Sequence, residues 1–152
     1  MALPKHTPYQ NGKGGVRIGL KPINTKNWLE IDDKFNNDNN LIRSAHDVSL
    51  GGIITAVAKM CIKGKKGINI KKPKYLINEI EYFFAEDQGR YIIEISKKDQ
   101  KKVLDILDKN AVHYDELGTI NENMLFLSQK SKVTIDELKS SNTNWLIEYM
   151  SK

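Results

Sequence analysis

Hydrophobic and polar positions fall into clear periods from residue 41 onward and into scattered ones before it. Leu41 and Ile42 predict a short strand, and residues 51–62 are apolar nearly all round, which predicts a central helix covered on most sides. Gly64 and Gly67 close that helix, and Ile68-Asn69-Ile70 alternates as a short strand does. Over residues 74–84, Leu76, Ile77, Ile80, Phe83 and Phe84 recur at helical spacing behind Pro73, a residue suited to a first helical turn. Gln88-Gly89 breaks this helix, and residues 90–95 alternate as a strand. Ser96 then caps an amphipathic helix over residues 97–110, with Val103, Leu104, Ile106 and Leu107 inward and Lys98, Lys101 and Lys102 outward. Residues 112–114 and 118–120 bracket a strand region, residues 124–127 form the next strand, and residues 134–150 carry the final helical segment.

Strand, helix, strand, strand, helix is a split β-α-β-like order. It predicts an α+β fold, a mixed or antiparallel sheet with helices packed on it. Residues 1–40 read as a partly irregular N-terminal segment, punctuated by Pro4, Pro8, Gly12, Gly14, Gly15, Gly19 and Pro22 and by the polar run 36–40. Within it, residues 16–20 suit a short strand, and residues 25–35 suit a short helix with Trp28, Leu29, Ile31 and Phe35 on one face. Residues 41–152 form the patterned domain. Gly12-Lys13-Gly14-Gly15 lacks the Gly-Lys-Ser/Thr ending of a phosphate loop and reads as a turn.

The stretch with most chemistry is Ser44-Ala45-His46-Asp47-Val48-Ser49-Leu50-Gly51-Gly52. Paired glycines at a strand-to-helix turn let backbone approach a ligand closely, and the N–H groups of a helix start favour phosphate. Asp47, just before the turn, suits a magnesium ion that the phosphate also touches. His46, Ser49, Gly51 and Gly52 would supply donors around it. On an extended chain His46 and Asp47 point to opposite faces, so one of the two is structural. The simpler reading is that Asp47 or Ser49 caps a buried helix. A second cluster, Glu86, Gln88 and Arg90, offers a cation that could pair with phosphate or with Glu86.

Composition narrows the partners. The net charge is +5 and the basic run 63–74 invites a nucleic-acid reading, but arginine is confined to Arg17, Arg43 and Arg90 and no aromatic ring is interleaved with the lysines. A solvated turn and edge strand fits that run better than a binding patch. No apolar run approaches the roughly 18 residues of a membrane span. Met1-Ala2-Leu3-Pro4-Lys5 has no apolar secretory core, so a cytoplasmic protein is expected, and the lone Cys61 reads as a small buried hydrophobe rather than a nucleophile.

The signature at 44–52, with its apolar helix, resembles that of phosphoribosylformylglycinamidine synthase, synthetase subunit. Tyr82-Phe83-Phe84-Ala85-Glu86-Asp87-Gln88-Gly89-Arg90-Tyr91-Ile92-Ile93 resembles a second segment of the same family, in matching order and spacing. Leu117-Gly118-Thr119-Ile120 is similar to the glycine turn before the family's last strands, and residues 145–150 to its closing helix. The resemblance implies the C-terminal part of that synthetase and the fold of the aminoimidazole ribonucleotide synthetase-like C-terminal domain. It further implies purine biosynthesis, ATP or ADP with Mg2+, Asp47 as metal ligand, and phosphate contacts at His46, Ser49, Gly51, Gly52 and Arg90. The whole enzyme phosphorylates an amide oxygen with ATP and lets ammonia displace the phosphate. One domain of this size offers too few groups for that, so the expectation is a domain inactive alone, joined to a separate chain carrying the remaining domains. A non-catalytic dimerising remnant forming a homo-oligomer is the alternative. Leu50 stands where the family usually has an acidic residue.

Overall fold

The computed structural model describes residues 15–20, 35, 41–72, 78–87, 89–128 and 131–151. Among them, seven strands form one sheet: β1 (Gly15–Leu20), β2 (Ile42–Asp47), β3 (Gly67–Ile70), β4 (Tyr91–Ser96), β5 (Tyr114–Asn121), β6 (Met124–Ser128) and β7 (Ser131–Thr134). Four helices pack around it: α1 (Gly52–Gly64), α2 (Glu79–Phe84), α3 (Gln100–Lys109) and α4 (Ile135–Met150). The strand order is β2-β4-β1-β5-β3-β6-β7, antiparallel throughout except for the parallel pair β3 and β6. This is the α+β, mixed-sheet architecture that the element order predicts.

The sheet is covered on both faces, and β4 shows why its sequence is apolar almost without a break. Ile93 and Ile95 face a core with Val16, Ile18, Phe35, Leu41, Val103 and Leu107. Ile92 faces the other core, with Val57, Met60, Cys61, Ile68, Phe83 and Leu117. A central strand buried on both sides cannot alternate apolar with polar. The one charged residue within it, Glu94, is answered across the strand pair by Arg17 of β1. Arg17 Nε donates to Glu94 Oε2 at 3.1 Å, and Arg17 Nη1 donates to Cys61 Sγ at 3.0 Å and towards the Val57 carbonyl at 3.5 Å. This pair lies wholly buried beneath α1. It ties β1 and β4 to the helix that carries the glycine turn.

Several expectations shift. The strand expected at 16–20 is β1, and it sits between β4 and β5 in the middle of the sheet, so this part of residues 1–40 is integral to the domain. Of the helix expected over 25–35, Phe35 is described, helical and buried. Residues 12–14, 25–34 and 36–40, the first residues of the helix expected from 74, Pro73 and Gln88 lie outside the described residues. α2 begins at Glu79 because the Asn78 side chain accepts from the N–H groups of Ile80 and Glu81. α1 ends at the expected Gly64, and its left-handed cap is Lys65, whose N–H returns to the Cys61 carbonyl. α3 starts three residues later than expected: Ser96 holds Asp99 through its hydroxyl and accepts the Asp99 N–H, so residues 97–99 form a turn before the helix. The strand region expected within 112–120 is β5, and β7 was not foreseen at all.

Candidate functional site

The two sequence motifs meet at one end of the sheet. Among the described residues β2 is an edge strand paired with β4 alone, and the pairing continues past its end through Val48 N–H to the Arg90 carbonyl at 2.8 Å. The chain then turns, with Gly52 N–H donating to the Ser49 carbonyl at 2.9 Å. Both glycines of the turn are left-handed, Gly51 at φ 79° and Gly52 at φ 68°. Close contact also forbids a side chain at either. A Cβ on Gly52 would lie 2.6 Å from the Phe83 carbonyl oxygen, and one on Gly51 would lie 2.2 Å from Thr55 Oγ1. The end of α2 therefore rests directly on the start of α1.

The N-cap residue of α1, Gly51, brings no side chain to cap it, and the first turn holds no acidic residue. Neither Asp47 nor Ser49 caps it, contrary to the simpler reading of the sequence. The cap comes from the second motif: Gly51 N–H donates to Glu86 Oε1 at 2.7 Å. A carboxylate there satisfies an otherwise unpaired N–H and complements the positive end of the helix dipole. The amides of Gly51 and Gly52, expected to face phosphate, are thus donated within the chain to Glu86 and Ser49.

His46 and Asp47 have cross-strand partners on different faces, yet their side chains come within 3.4 Å of each other. Cross-strand pairing puts His46 beside Ile92 on the α1 side and Asp47 beside Tyr91 on the other. His46 is partly buried, and its Nδ1 lies 2.5 Å from the Asp47 carbonyl oxygen and 3.4 Å from Asp47 Oδ1. A carbonyl oxygen can only accept, so Nδ1 is the donor in that contact. The Asp47 carboxylate is exposed. Among the described residues no group of three or more His, Cys, Asp or Glu side chains gathers, so Asp47 offers one carboxylate to a cation. That fits magnesium, which takes one or two protein carboxylates and fills its remaining positions with phosphate oxygens and water.

Arg90 is largely enclosed. Its Nη1 donates to Asp87 Oδ2 at 2.9 Å, and its guanidinium carbon lies 5.9 Å from the centre of the Tyr82 ring. Its partner is therefore Asp87 and not the expected Glu86, which has turned to Gly51. Arg90, Tyr82, Val48, Ile53, Gly19 and Asp115 line a small depression beside the turn. Sequence reading missed Asp87, Asp115 and the capping role of Glu86. Glu86 and Asp87 had a signal, lying within the second motif; Asp115 had none, because only the strand order brings β5 near the site.

Cys61 is fully buried, and burial pushes its thiol up in pKa, the Arg17 guanidinium only partly opposing this. Where it is described, the basic run keeps its lysines at the surface, Lys71 pairing with Glu116 and Lys72 with Glu79, but its strand is not the expected edge strand: β3 lies between β5 and β6 with Ile68 fully buried.

Residues 11–127 match the family described as AIR synthase related protein, C-terminal domain. The chain belongs to that family. Among curated relatives, this AIR synthase-related domain is 56% identical over 140 residues to the phosphoribosylformylglycinamidine synthase subunit PurL of Pelagibacter ubique, covering 92% of this chain and 19% of that relative. It is 33% identical over 111 residues to the PurL subunit of Bartonella henselae, covering 73% of this chain and 15% of the relative. The chain thus spans less than a fifth of the length of these relatives. Among solved structures, T. maritima PurL complexed with ATP superposes with a TM-score of 0.68 at 17% identity, covering 88% of this chain and 27% of that one. The HypE-HypF complex gives 0.59 at 12% identity, over 79% of this chain and 52% of the other. At such identities these structures show the fold. No helix among the described residues is long and apolar enough to cross a membrane.

Proposed function

We infer that this AIR synthase-related domain works as one domain of a cytoplasmic phosphoribosylformylglycinamidine synthase of the PurL type, in purine biosynthesis, presenting the Asp47–Gly52 turn to a magnesium-bound nucleotide. The observation that carries this reading is the meeting of the two motifs at one end of the sheet: Glu86 on Gly51 N–H, beside an exposed Asp47. The PurL relatives give it its chemistry, and the solved T. maritima PurL structures are described as complexes with ATP, ADP and AMPPCP.

In this reading Asp47 would hold magnesium through its carboxylate, and the ion would supply positive charge against phosphate. Ser49, exposed on the turn, offers a hydroxyl to the same phosphate. Gly51 and Gly52 make the close backbone approach, and an incoming phosphate oxygen takes the Gly51 N–H from Glu86. His46 holds the Asp47 backbone through Nδ1 and offers Nε2. Arg90, anchored by Asp87 and the Tyr82 ring, adds a fixed positive charge behind the turn. One carboxylate completes no metal site, so the remaining ligands and the amide substrate belong to the rest of the synthetase, and the domain alone does not turn over.

The test is a calorimetric titration of the chain with magnesium-ADP, repeated on Asp47→Asn. Saturable binding, weakened at least tenfold in the variant, is expected. Binding unchanged by the substitution would remove Asp47 from the site. No heat with either protein would reduce the domain to a structural part of its assembly.

A further inference from the structure

α4 reaches beyond the body of the domain. Its first turn is anchored by a capping box and by Ile135, which is buried with α1 and β6 residues, and Leu138 packs against the same core. The alternating three- and four-residue spacing that sets Ile135 and Leu138 inward continues through Asn142, Trp145 and Tyr149. From Ser141 onward, however, every residue of the helix is exposed, with Trp145 at 60%, Ile147 at 70%, Tyr149 at 72% and Met150 at 76%. Among the described residues, the core-facing stripe runs on past the last core residue that meets it. The helix also lies outside the matched family region, which ends at residue 127.

The composition of this stretch is that of an interface centre. In a chain that is 28% charged, Glu148 is the one charged residue between Lys139 and Lys152. Charge depletion with aromatic and methionine enrichment marks the buried part of a contact. A second copy is a poor occupant. Pairing two α4 ends about a twofold would bury two Glu148 carboxylates with no cation in residues 140–151 to meet either, and a buried unpaired charge is costly. The occupant must bring an apolar surface with a lysine or arginine opposite Glu148. The Pelagibacter ubique relative, 56% identical, has more than four-fifths of its length outside the matched region.

We propose that the exposed Trp145–Met150 face of α4 is the docking surface for the remainder of the synthetase, which covers the Trp145 and Tyr149 side chains and supplies a cation to Glu148. This rests on reading the chain as one domain of a PurL-type synthetase, and it adds which surface joins the parts.

The test co-expresses the full chain with the Pelagibacter ubique PurL polypeptide lacking its matching segment, and measures the soluble complex by light scattering after gel filtration. The expected result is a one-to-one complex with the wild-type chain and at least a tenfold lower yield with Trp145→Glu/Tyr149→Glu. The variant's circular dichroism and urea midpoint should match wild type, since both side chains are exposed. Glu148→Lys should lower the yield less, through charge alone. No complex with wild type, or equal yield with the double variant, overturns the proposal. So does sedimentation showing that the chain alone dimerises and that the double variant abolishes it. Titrating any recovered complex with magnesium-ADP separates the two readings: a complex that ignores nucleotide keeps the docking surface and removes the nucleotide site, whereas nucleotide binding by the chain with no complex does the reverse.

Discussion

The buried pair between Arg17 and Glu94 gives the sharpest test of how the site is supported. Both side chains are almost fully removed from solvent, joined by one hydrogen bond at 3.1 Å, with Arg17 also donating to Cys61 Sγ. Arg17→Met keeps the length and apolar stem of the side chain but leaves the Glu94 carboxylate buried without its cation. Removing one partner of such a pair costs about 3–5 kcal/mol. For a domain of this size, that lowers the melting temperature by roughly 6–20 °C. Replacing both, Arg17→Met with Glu94→Leu, removes the uncompensated charge, and double replacements of buried pairs are often neutral or stabilising by about 1–4 kcal/mol. Equilibrium urea unfolding of wild type, both single variants and the double variant closes the cycle. The reasoning predicts that the double variant is more stable than Arg17→Met alone by at least about 3 kcal/mol. A single-variant cost below about 1 kcal/mol, or a double-variant cost equal to the sum of the singles, would refute it.

Gly52→Ala should lower stability by more than about 2 kcal/mol and disturb the turn, because left-handed strain adds to a backbone clash at Phe83; a urea midpoint close to wild type would contradict the contact between α2 and α1. Cys61 should ignore a thiol reagent such as DTNB at pH 8 in the folded protein and react at the rate of opening in urea. Its folded pKa is raised above the ordinary 9.0, so above that pH the unfolded thiol loses its proton first, the unfolded state binds fewer protons and stability falls. Cys61→Ala should flatten that alkaline decline, measured as urea midpoint against pH. At α4, Thr134 donates its hydroxyl and its N–H to Glu137, holding the Glu137 carboxyl below its ordinary 4.5. That contribution is complete above the ordinary value and is lost as pH falls through the depressed one. Thr134→Ala should cost about 1 kcal/mol at neutral pH through the lost cap and reduce, without abolishing, the acid-side decline in helix signal, because the backbone N–H of residue 134 still donates to Glu137.

Most of the order of elements from 41 to 152, β7 excepted, was legible because local pattern determines it: the apolar run of α1, the β-branched apolar run of β4 and the amphipathic spacing of α3 each follow from neighbours in sequence. The signature was legible for the same reason. Residue types and spacing place Asp47, Ser49, Gly51 and Gly52 at a strand-to-helix turn whatever surrounds it. Three matters lay beyond the sequence, each set by residues far apart along the chain. β1 looked like a strand inside an irregular segment, and only its pairing with β4 and β5 makes it central. Glu86 looked like a partner for Arg90, but the end of α2 lies against Gly52, which carries Glu86 to the Gly51 N–H and leaves Arg90 to Asp87. Arg17 looked like one of three arginines in a basic chain, and 77 residues separate it from the buried Glu94 that gives it a purpose. Propensity and period act over a few residues, so they fix elements and turns. Which carboxylate meets which cation or amide depends on strand order and helix docking, and these are decided when the two cores close.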